Sequence, residues 1–183
     1  VQTITEIAPE VGSLHVFQRT PCFSLPAHNG PVKGEVVRNW LGNREANRQA
    51  ERVHPIGIVA AVVSDKLAPD TAPEERRRVF EERWQKGGFA VGGAFADMLL
   101  VREANNTFVD FLADKVRGIV KDPETAEKLI PRTYPAGSKR ICVDTGYFEV
   151  YNQPNVKLVD VSASPVTVTP KGARVGAKEY KFD

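Results

Sequence analysis

Apolar positions along the chain change period several times, and each change predicts an element. Val1, Ile4, Ile7, Ala8 and Val11 form one stripe at helical spacing, closed by Gly12. Leu14–Gln18 (LHVFQ) reads as a short buried strand. Residues 20–34 carry Pro21, Pro26, Gly30, Pro31 and Gly34, a loop composition. Residues 35–53 predict one polar, Arg-rich helix whose apolar positions are Val36, Val37, Trp40 and Leu41. Residues 56–63 are a continuous apolar run whose period does not separate a buried helix from a strand. After a break at 69–73, with Thr71 as the expected cap, residues 74–86 read as a helix with Glu early and Lys late, ended by Gly87 and Gly88. Residues 103–120 predict an amphipathic helix with Phe108, Phe111, Leu112, Val116 and Ile119 inward. Asp122-Pro123-Glu124 is a capping residue, a first-turn proline and an acidic neighbour, opening a short helix to Ile130. Residues 131–138 are a turn-rich linker, and strands are expected at 156–160, 165–169 and 179–182.

The order is helix and strand, a helical middle, then strands. That order predicts an α/β chain in which residues 1–30 and 136–183 build one discontinuous domain and residues 31–135 form a mainly helical insertion. No capping residue precedes the opening stripe, and Lys181, Phe182 and Asp183 interrupt an alternating run. The chain is therefore expected to be a piece of a larger polypeptide, whose remainder would be its first partner.

Composition removes several classes. In 183 residues, 42% are hydrophobic and 26% charged, as in an ordinary globular protein. Lys and Arg number 25 against 23 Asp and Glu, for a net charge of +2, which gives no footprint for nucleic acid or a membrane surface. No apolar stretch is long enough to span a bilayer, and no secretory leader pattern opens the chain. Cys22 and Cys142 are far apart and form no CxxC pair, which excludes a disulfide framework or a cysteine-built zinc site and fits a cytoplasmic location. His15, His28 and His54 lack the spacing of metal ligands, so no metal site is expected.

Two basic pairs stand out. In a dinucleotide-binding βαβ unit, the residue that reads the ribose comes about 20 residues after the glycine loop, at the end of the second strand. If such a loop lay just before Val1, that position would fall near Arg19. An acidic residue there would accept from a 2′-hydroxyl, whereas Arg19-Thr20 offers a guanidinium fork and a hydroxyl suited to a 2′-phosphate. An exposed charge after a strand meets the same pattern. Lys139-Arg140 follows a Pro/Gly-rich loop and precedes Asp144-Thr145-Gly146-Tyr147; these cations suit an anionic ligand or simple solvation. The glycines at 87, 88, 92 and 93 lack the lysine and spacing of a Walker loop, and Arg76, Arg77 and Arg78 are balanced by flanking Glu. Trp40 and Trp84 read as core anchors.

Several motifs in fixed order resemble one family. These are Val-Phe-Gln-Arg-Thr-Pro at 16–21 with Pro-Ala-His-Asn at 26–29, Gly-Gly-Phe at 87–89 with Gly-Ala-Phe-Ala-Asp at 93–97, and Lys-Asp-Pro-Glu-Thr-Ala at 121–126. The strongest is Gly-Ser-Lys-Arg at 137–140, running into Asp-Thr-Gly-Tyr-Phe-Glu-Val-Tyr-Asn at 144–152, and the likeness ends at Asn-Val-Lys-Leu-Val-Asp, 155–160. Together they resemble the type I Baeyer–Villiger monooxygenases, FAD- and NADPH-dependent flavoproteins, over nearly the whole chain and most weakly at 31–85.

The resemblance implies an incomplete, Rossmann-like three-layer NADPH-binding domain interrupted by the helical insertion. It implies that Arg19, Thr20 and Lys139 hold the 2′-phosphate of NADPH and that Arg140 is catalytic. In the chemistry implied, NADPH reduces FAD, dioxygen is activated, and a ketone substrate becomes an ester or lactone. A fixed cation such as Arg140 would stabilise the anionic oxygen species and keep its own proton at working pH. The FAD-binding glycine loop, the second glycine loop, the fingerprint motif between them and the substrate-lining segment are absent, so the isolated chain should neither hold FAD nor turn over ketone. Rival readings are a related flavin-dependent N- or S-oxidising monooxygenase and a non-catalytic α/β interaction module.

Overall fold

In a computed structural model, which describes residues 1–54, 57 and 63–182, the chain is a mixed α/β protein. The apolar run at 56–63 falls almost wholly outside the described residues. The opening helix α1 spans Gln2–Ile7, ending before Gly12 because Pro9 has no N–H for the next helical bond. Val11, expected on its stripe, is 37% exposed. Strand β1 (Leu14–Gln18) forms over the expected span, but all five residues are half-buried rather than buried. A three-residue strand β2 (Ser24–Pro26) follows inside the expected loop.

The helix expected over 35–53 is two helices, α2 (Gly34–Gly42) and α3 (Arg44–Val53), broken at Asn43. Neither buries a residue, and Trp40 is 48% exposed, so the expected core anchor is a surface residue. Helix α4 (Pro73–Lys86) starts at Ala72 rather than at Thr71, because Pro73 fixes the first turn and the Thr71 hydroxyl donates instead to the Leu67 carbonyl. Gly87 ends α4 at φ 73°, and a Cβ there would lie 2.5 Å from the His28 ring. Helix α5 (Arg102–Ile119) and helix α6 (Pro123–Leu129) follow, the latter capped as expected by Asp122, which accepts from the Thr125 amide at 2.8 Å.

Strands β3 (Cys142–Asp144) and β4 (Val156–Asp160) come next, then β5 (Val166–Thr169), β6 (Gly172–Val175) and β7 (Lys178–Lys181). Strands β2, β3 and β6 have three or four residues each, too few for an alternating pattern to declare itself. Strand β1 pairs parallel with β4, Leu14 opposite Val156 and Gln18 opposite Asp160. Strand β2 pairs parallel with β3, Ser24 opposite Cys142 and Pro26 opposite Asp144. Both parallel pairs therefore join chain before the helical stretch to chain after it, as parallel pairing with its long crossover requires. Strands β5, β6 and β7 form an antiparallel meander, and Tyr180 on β7 sets its ring edge-on to Phe17 and His15 of β1.

The core is aromatic. Phe80 of α4 meets Phe95 and, on α5, Phe108 and Phe111; Trp84 meets Phe111. Phe23, just before β2, stacks on Phe108, so the helical stretch and the β2–β3 pair share one apolar interior. Of the positions expected to face inward on α5, Phe108, Phe111, Leu112 and Val116 are buried and Ile119 is half-buried. Among the described residues, no helix is long and apolar enough to cross a membrane.

Candidate functional site

Arg19 is the residue immediately after β1. It lies at the carboxyl edge of a parallel strand pair, where open α/β sheets characteristically accept ligands. The edge is closed by the Val161 amide donating to the Gln18 carbonyl at 2.9 Å and by the Ser162 amide donating to Asp160 at 2.8 Å. That second bond, together with the Ser162 hydroxyl, holds the Asp160 carboxyl below the usual carboxylate range. Arg19 lines an open hollow of 660 Å³ together with Ser162, Ser164 and Pro165.

The segment bearing Lys139 and Arg140 is tied to the Arg19 loop by one tyrosine. The Tyr134 hydroxyl donates to the Pro21 carbonyl at 2.8 Å, and its ring stands edge-on to Phe23 at 5.3 Å. The Lys139 ammonium sits over the other part of that ring, 4.3 Å from the centroid. Burial is the largest influence pushing the Tyr134 hydroxyl above its ordinary pKa. The segment that carries Lys139 is thereby tied through Tyr134 to Pro21, although Tyr134 and Pro21 lie 113 positions apart in sequence.

Asn105 of α5 fixes the same segment from below. It is 3% exposed, donates to the Met98 and Ala136 carbonyls and accepts from the Ala136 amide, all at 3.0 Å. Gly137 follows at φ 88°, where a Cβ would meet the Leu99 side chain at 2.9 Å. Ser138 closes the turn on the Pro135 carbonyl through both its amide and its hydroxyl. Sequence reasoning missed Asn105 and Tyr134 as positioning residues. The signal for Asn105 was a polar residue on the inward stripe of α5, one turn from Phe108 and Val109; Tyr134 gave none.

Arg140 is exposed at the amino end of β3. Neither Arg19 nor Arg140 makes a side-chain hydrogen bond or an ion pair to a described residue, so both guanidinium groups have their full donor set to offer an anion. Beyond β3, the Asp144-Thr145-Gly146-Tyr147 turn is locked to β2. Buried Ser24 donates to the buried Asp144 carboxylate, which also accepts from the Tyr147 amide at 2.8 Å, while the Ala27 amide donates to the Asp144 carbonyl at 2.6 Å. Tyr147 and Tyr151 share a hydroxyl contact of 3.2 Å; burial raises both, Tyr151 to about 12. Among the described residues, no three His, Cys, Asp or Glu side chains group as metal ligands.

The arrangement is thus an exposed cationic edge built on a rigid, hydrogen-bonded support. Comparison with known proteins shows what the chain is similar to. No family model matches the chain. It is 38% identical over 189 residues to a Baeyer-Villiger monooxygenase of Pseudooceanicola batsensis and 36% identical over 190 residues to 2-oxo-Δ(3)-4,5,5-trimethylcyclopentenylacetyl-CoA monooxygenase of Pseudomonas putida. Each alignment covers 100% of this chain and 34% of the relative. A phenazine N-monooxygenase of Lysobacter antibioticus is 37% identical over 194 residues, with the same coverage. Among solved structures, an oxidised steroid monooxygenase bound to NADP superposes at a TM-score of 0.92 with 36% identity, covering 99% of this chain and 35% of that one. OTEMO in complex with FAD and NADP superposes at 0.94 with 34% identity, covering 98% of this chain and 34% of its own. The chain spans about a third of the length of the curated relatives it matches. Over nearly its whole length the chain is similar to Baeyer–Villiger monooxygenases, and it matches about one third of each of them.

Proposed function

We propose that this chain is the NADPH-binding portion of an FAD-dependent Baeyer–Villiger monooxygenase that converts a ketone and dioxygen into an ester or lactone. The single observation that carries the reading is the tie from the Lys139 segment through Tyr134 to Pro21, next to the Arg19-Thr20 pair that follows β1. In this reading residues 1–30 and 136–183 belong to one Rossmann-like three-layer domain, and residues 31–135 are an insertion. The parallel pairing of β1 with β4 and of β2 with β3, across the helical stretch, supports that division.

The cations fit an anionic nucleotide group. Arg19 presents a planar fork that matches a phosphate bidentately, Thr20 adds a hydroxyl, and Lys139 adds a point charge oriented by the Tyr134 face. No acidic residue stands at Arg19 or Thr20 to accept from a free 2′-hydroxyl, which favours NADPH over NADH. Arg140 is assigned the catalytic cation. Held beside the reacting oxygen, it stabilises developing negative charge better than water, because it needs no reorganisation. Its guanidinium also stays protonated throughout the working range. When bound, NADPH supplies a hydride to FAD, and the reduced FAD activates dioxygen.

The test uses the full-length protein that carries this sequence. Its visible spectrum is followed during NADPH addition in air, with and without a cyclic or aryl ketone, and the products are analysed for ester. Bleaching of a bound flavin with ester formation is the expected result. The 37% identity to a phenazine N-monooxygenase supports a second reading, oxygen transfer to nitrogen. Bleaching without ester from any ketone, but with N-oxide from an aromatic N-heterocycle, would select it.

A further inference from the structure

The two cysteines, 120 positions apart in the sequence, meet in space. The Cys142 amide donates to the Phe23 carbonyl at 2.9 Å, and Ser24 stands opposite Cys142 in the β2–β3 register. Cys22 lies two residues before Ser24, just outside β2, and alternation continued one step back assigns it to the face of Ser24 and Cys142. The offset from Cys22 to Cys142 equals the offset from Ser24 to Asp144, a pair whose side chains are hydrogen-bonded. By that offset Cys22 is the diagonal neighbour of Cys142 across the strand pair. Both cysteines are free and half-buried.

We infer that Cys22 and Cys142 form a reversible intramolecular disulfide when the protein meets hydrogen peroxide. The same diagonal offset already lets the Ser24 and Asp144 side chains touch, but a disulfide needs its Cα atoms within about 7 Å, so a backbone shift at Cys22 accompanies bond formation. Cys22 precedes β2 rather than belonging to its ladder, so it can close the gap without breaking a strand bond. Burial, then the neighbouring Cys142, pushes the Cys22 thiol up to about 11, so Cys22 is poorly placed to attack first. Cys142 sulfur attacks the peroxide O–O bond, giving a sulfenic acid and one water. Cys22 sulfur then attacks that sulfenic sulfur, the S–S bond forms, and its proton leaves with the hydroxyl as a second water. The two thiols supply the two electrons that reduce the peroxide.

The bond would link Arg19-Thr20-Pro21-Cys22 covalently to Lys139-Arg140-Ile141-Cys142, the two segments that bear the cations. A consequence for NADPH rests on the proposed function; the disulfide itself does not. The experiment treats the full-length protein with hydrogen peroxide, blocks residual thiols and maps peptides without reduction. Expected is a cross-linked peptide pair containing Cys22 and Cys142, two hydrogen atoms lighter than the sum of its parts and separated again by dithiothreitol. In Cys22→Ser, Cys142 should instead accumulate a sulfenic acid trapped by dimedone; Cys142→Ser should show neither product. Sulfinic or sulfonic acid on either cysteine without a cross-link, or two thiols that stay reduced under peroxide that fully oxidises a free-cysteine peptide in the same tube, would overturn the inference. These readouts need neither NADPH nor ketone, so they stand or fall apart from the monooxygenase reading.

Discussion

Tyr134 donates its hydroxyl to the carbonyl of Pro21 at 2.8 Å, across 113 positions of sequence. That bond joins the two segments on which the cationic residues are carried. Replacing Tyr134 with Phe keeps the ring under Lys139 and removes only the hydrogen bond. The expected cost is about 0.5–1.5 kcal/mol, or roughly a 2- to 12-fold weaker NADPH affinity if all of it falls on the bound state. Tyr134→Ala removes the platform for Lys139 as well and should weaken NADPH further, with FAD affinity unchanged. Titration of both variants of the full-length protein checks this; an unaltered NADPH affinity in Tyr134→Ala would remove the pin from the binding site.

Arg19→Ala is expected to weaken NADPH far more than NADH. A lost charge-assisted contact is worth roughly 1.5–3 kcal/mol, which is about a 12- to 160-fold change in affinity. Comparing dissociation constants for the two cofactors isolates the 2′-phosphate, since the remainder of the nucleotide is common to both. Equal losses would place Arg19 elsewhere on the ligand.

Arg140→Ala should leave flavin bound and NADPH oxidised while abolishing ester formation. The change removes a cation at the reacting oxygen without touching the Tyr134 or Asn105 supports. Arg140→Lys keeps the charge but not the planar fork, so partial ester formation is expected there. Gas chromatography of the product beside NADPH consumption separates the two steps. Normal ketone turnover in Arg140→Ala would end its catalytic assignment.

Asn105→Ala tests the support of the site. It strands the Ala136 amide and leaves the Met98 and Ala136 carbonyls without their side-chain donor, all in a buried setting. A destabilisation of about 3 kcal/mol is expected, read as a lower urea midpoint with an unchanged slope. A shift within error would show that other contacts hold the 131–138 linker.

Asp122 gives a pH dependence with a definite sign. The Thr125 hydroxyl, then the Thr125 amide, holds its carboxyl below the ordinary value. A depressed folded-state pKa contributes stability that is present above the unfolded value and is lost as pH falls through the folded one. Helix α6 should therefore open progressively in acid. Asp122→Asn keeps the capping oxygen without the titration and should remove the acid-dependent part of amide exchange at Thr125. Identical acid profiles in both forms would show that other groups govern the opening.

Much of the fold was legible because its elements are long enough to declare a period. Helices α4 and α5 were readable from charge order and from the stripe at Phe108, Phe111, Leu112 and Val116, and β1 and β4 from short apolar runs. The Asp122-Pro123 start was readable because a cap is a local event, decided by neighbours in sequence. Short range is also why the Arg19-Thr20 and Lys139-Arg140 pairs could be singled out as chemistry. The tie between their segments through Tyr134 and Pro21 could not be read, since no local pattern says which distant loop a loop will meet.

What the sequence by itself determined, then, is the α/β class, the helical middle, the family likeness and the identity of the candidate cations. Tertiary structure alone decided the rest. It placed three-residue strands such as β2 and β3, which exist only because each satisfies the other's backbone groups. It left Trp40 exposed on α2 while burying Trp84, since neither residue type nor period says whether another element covers a face. It set Ser24 opposite Cys142 through parallel register across a long crossover, and it brought Tyr134 beside Pro21. Register is set by the fit of two surfaces distant in sequence, and that information is in no single segment of the chain.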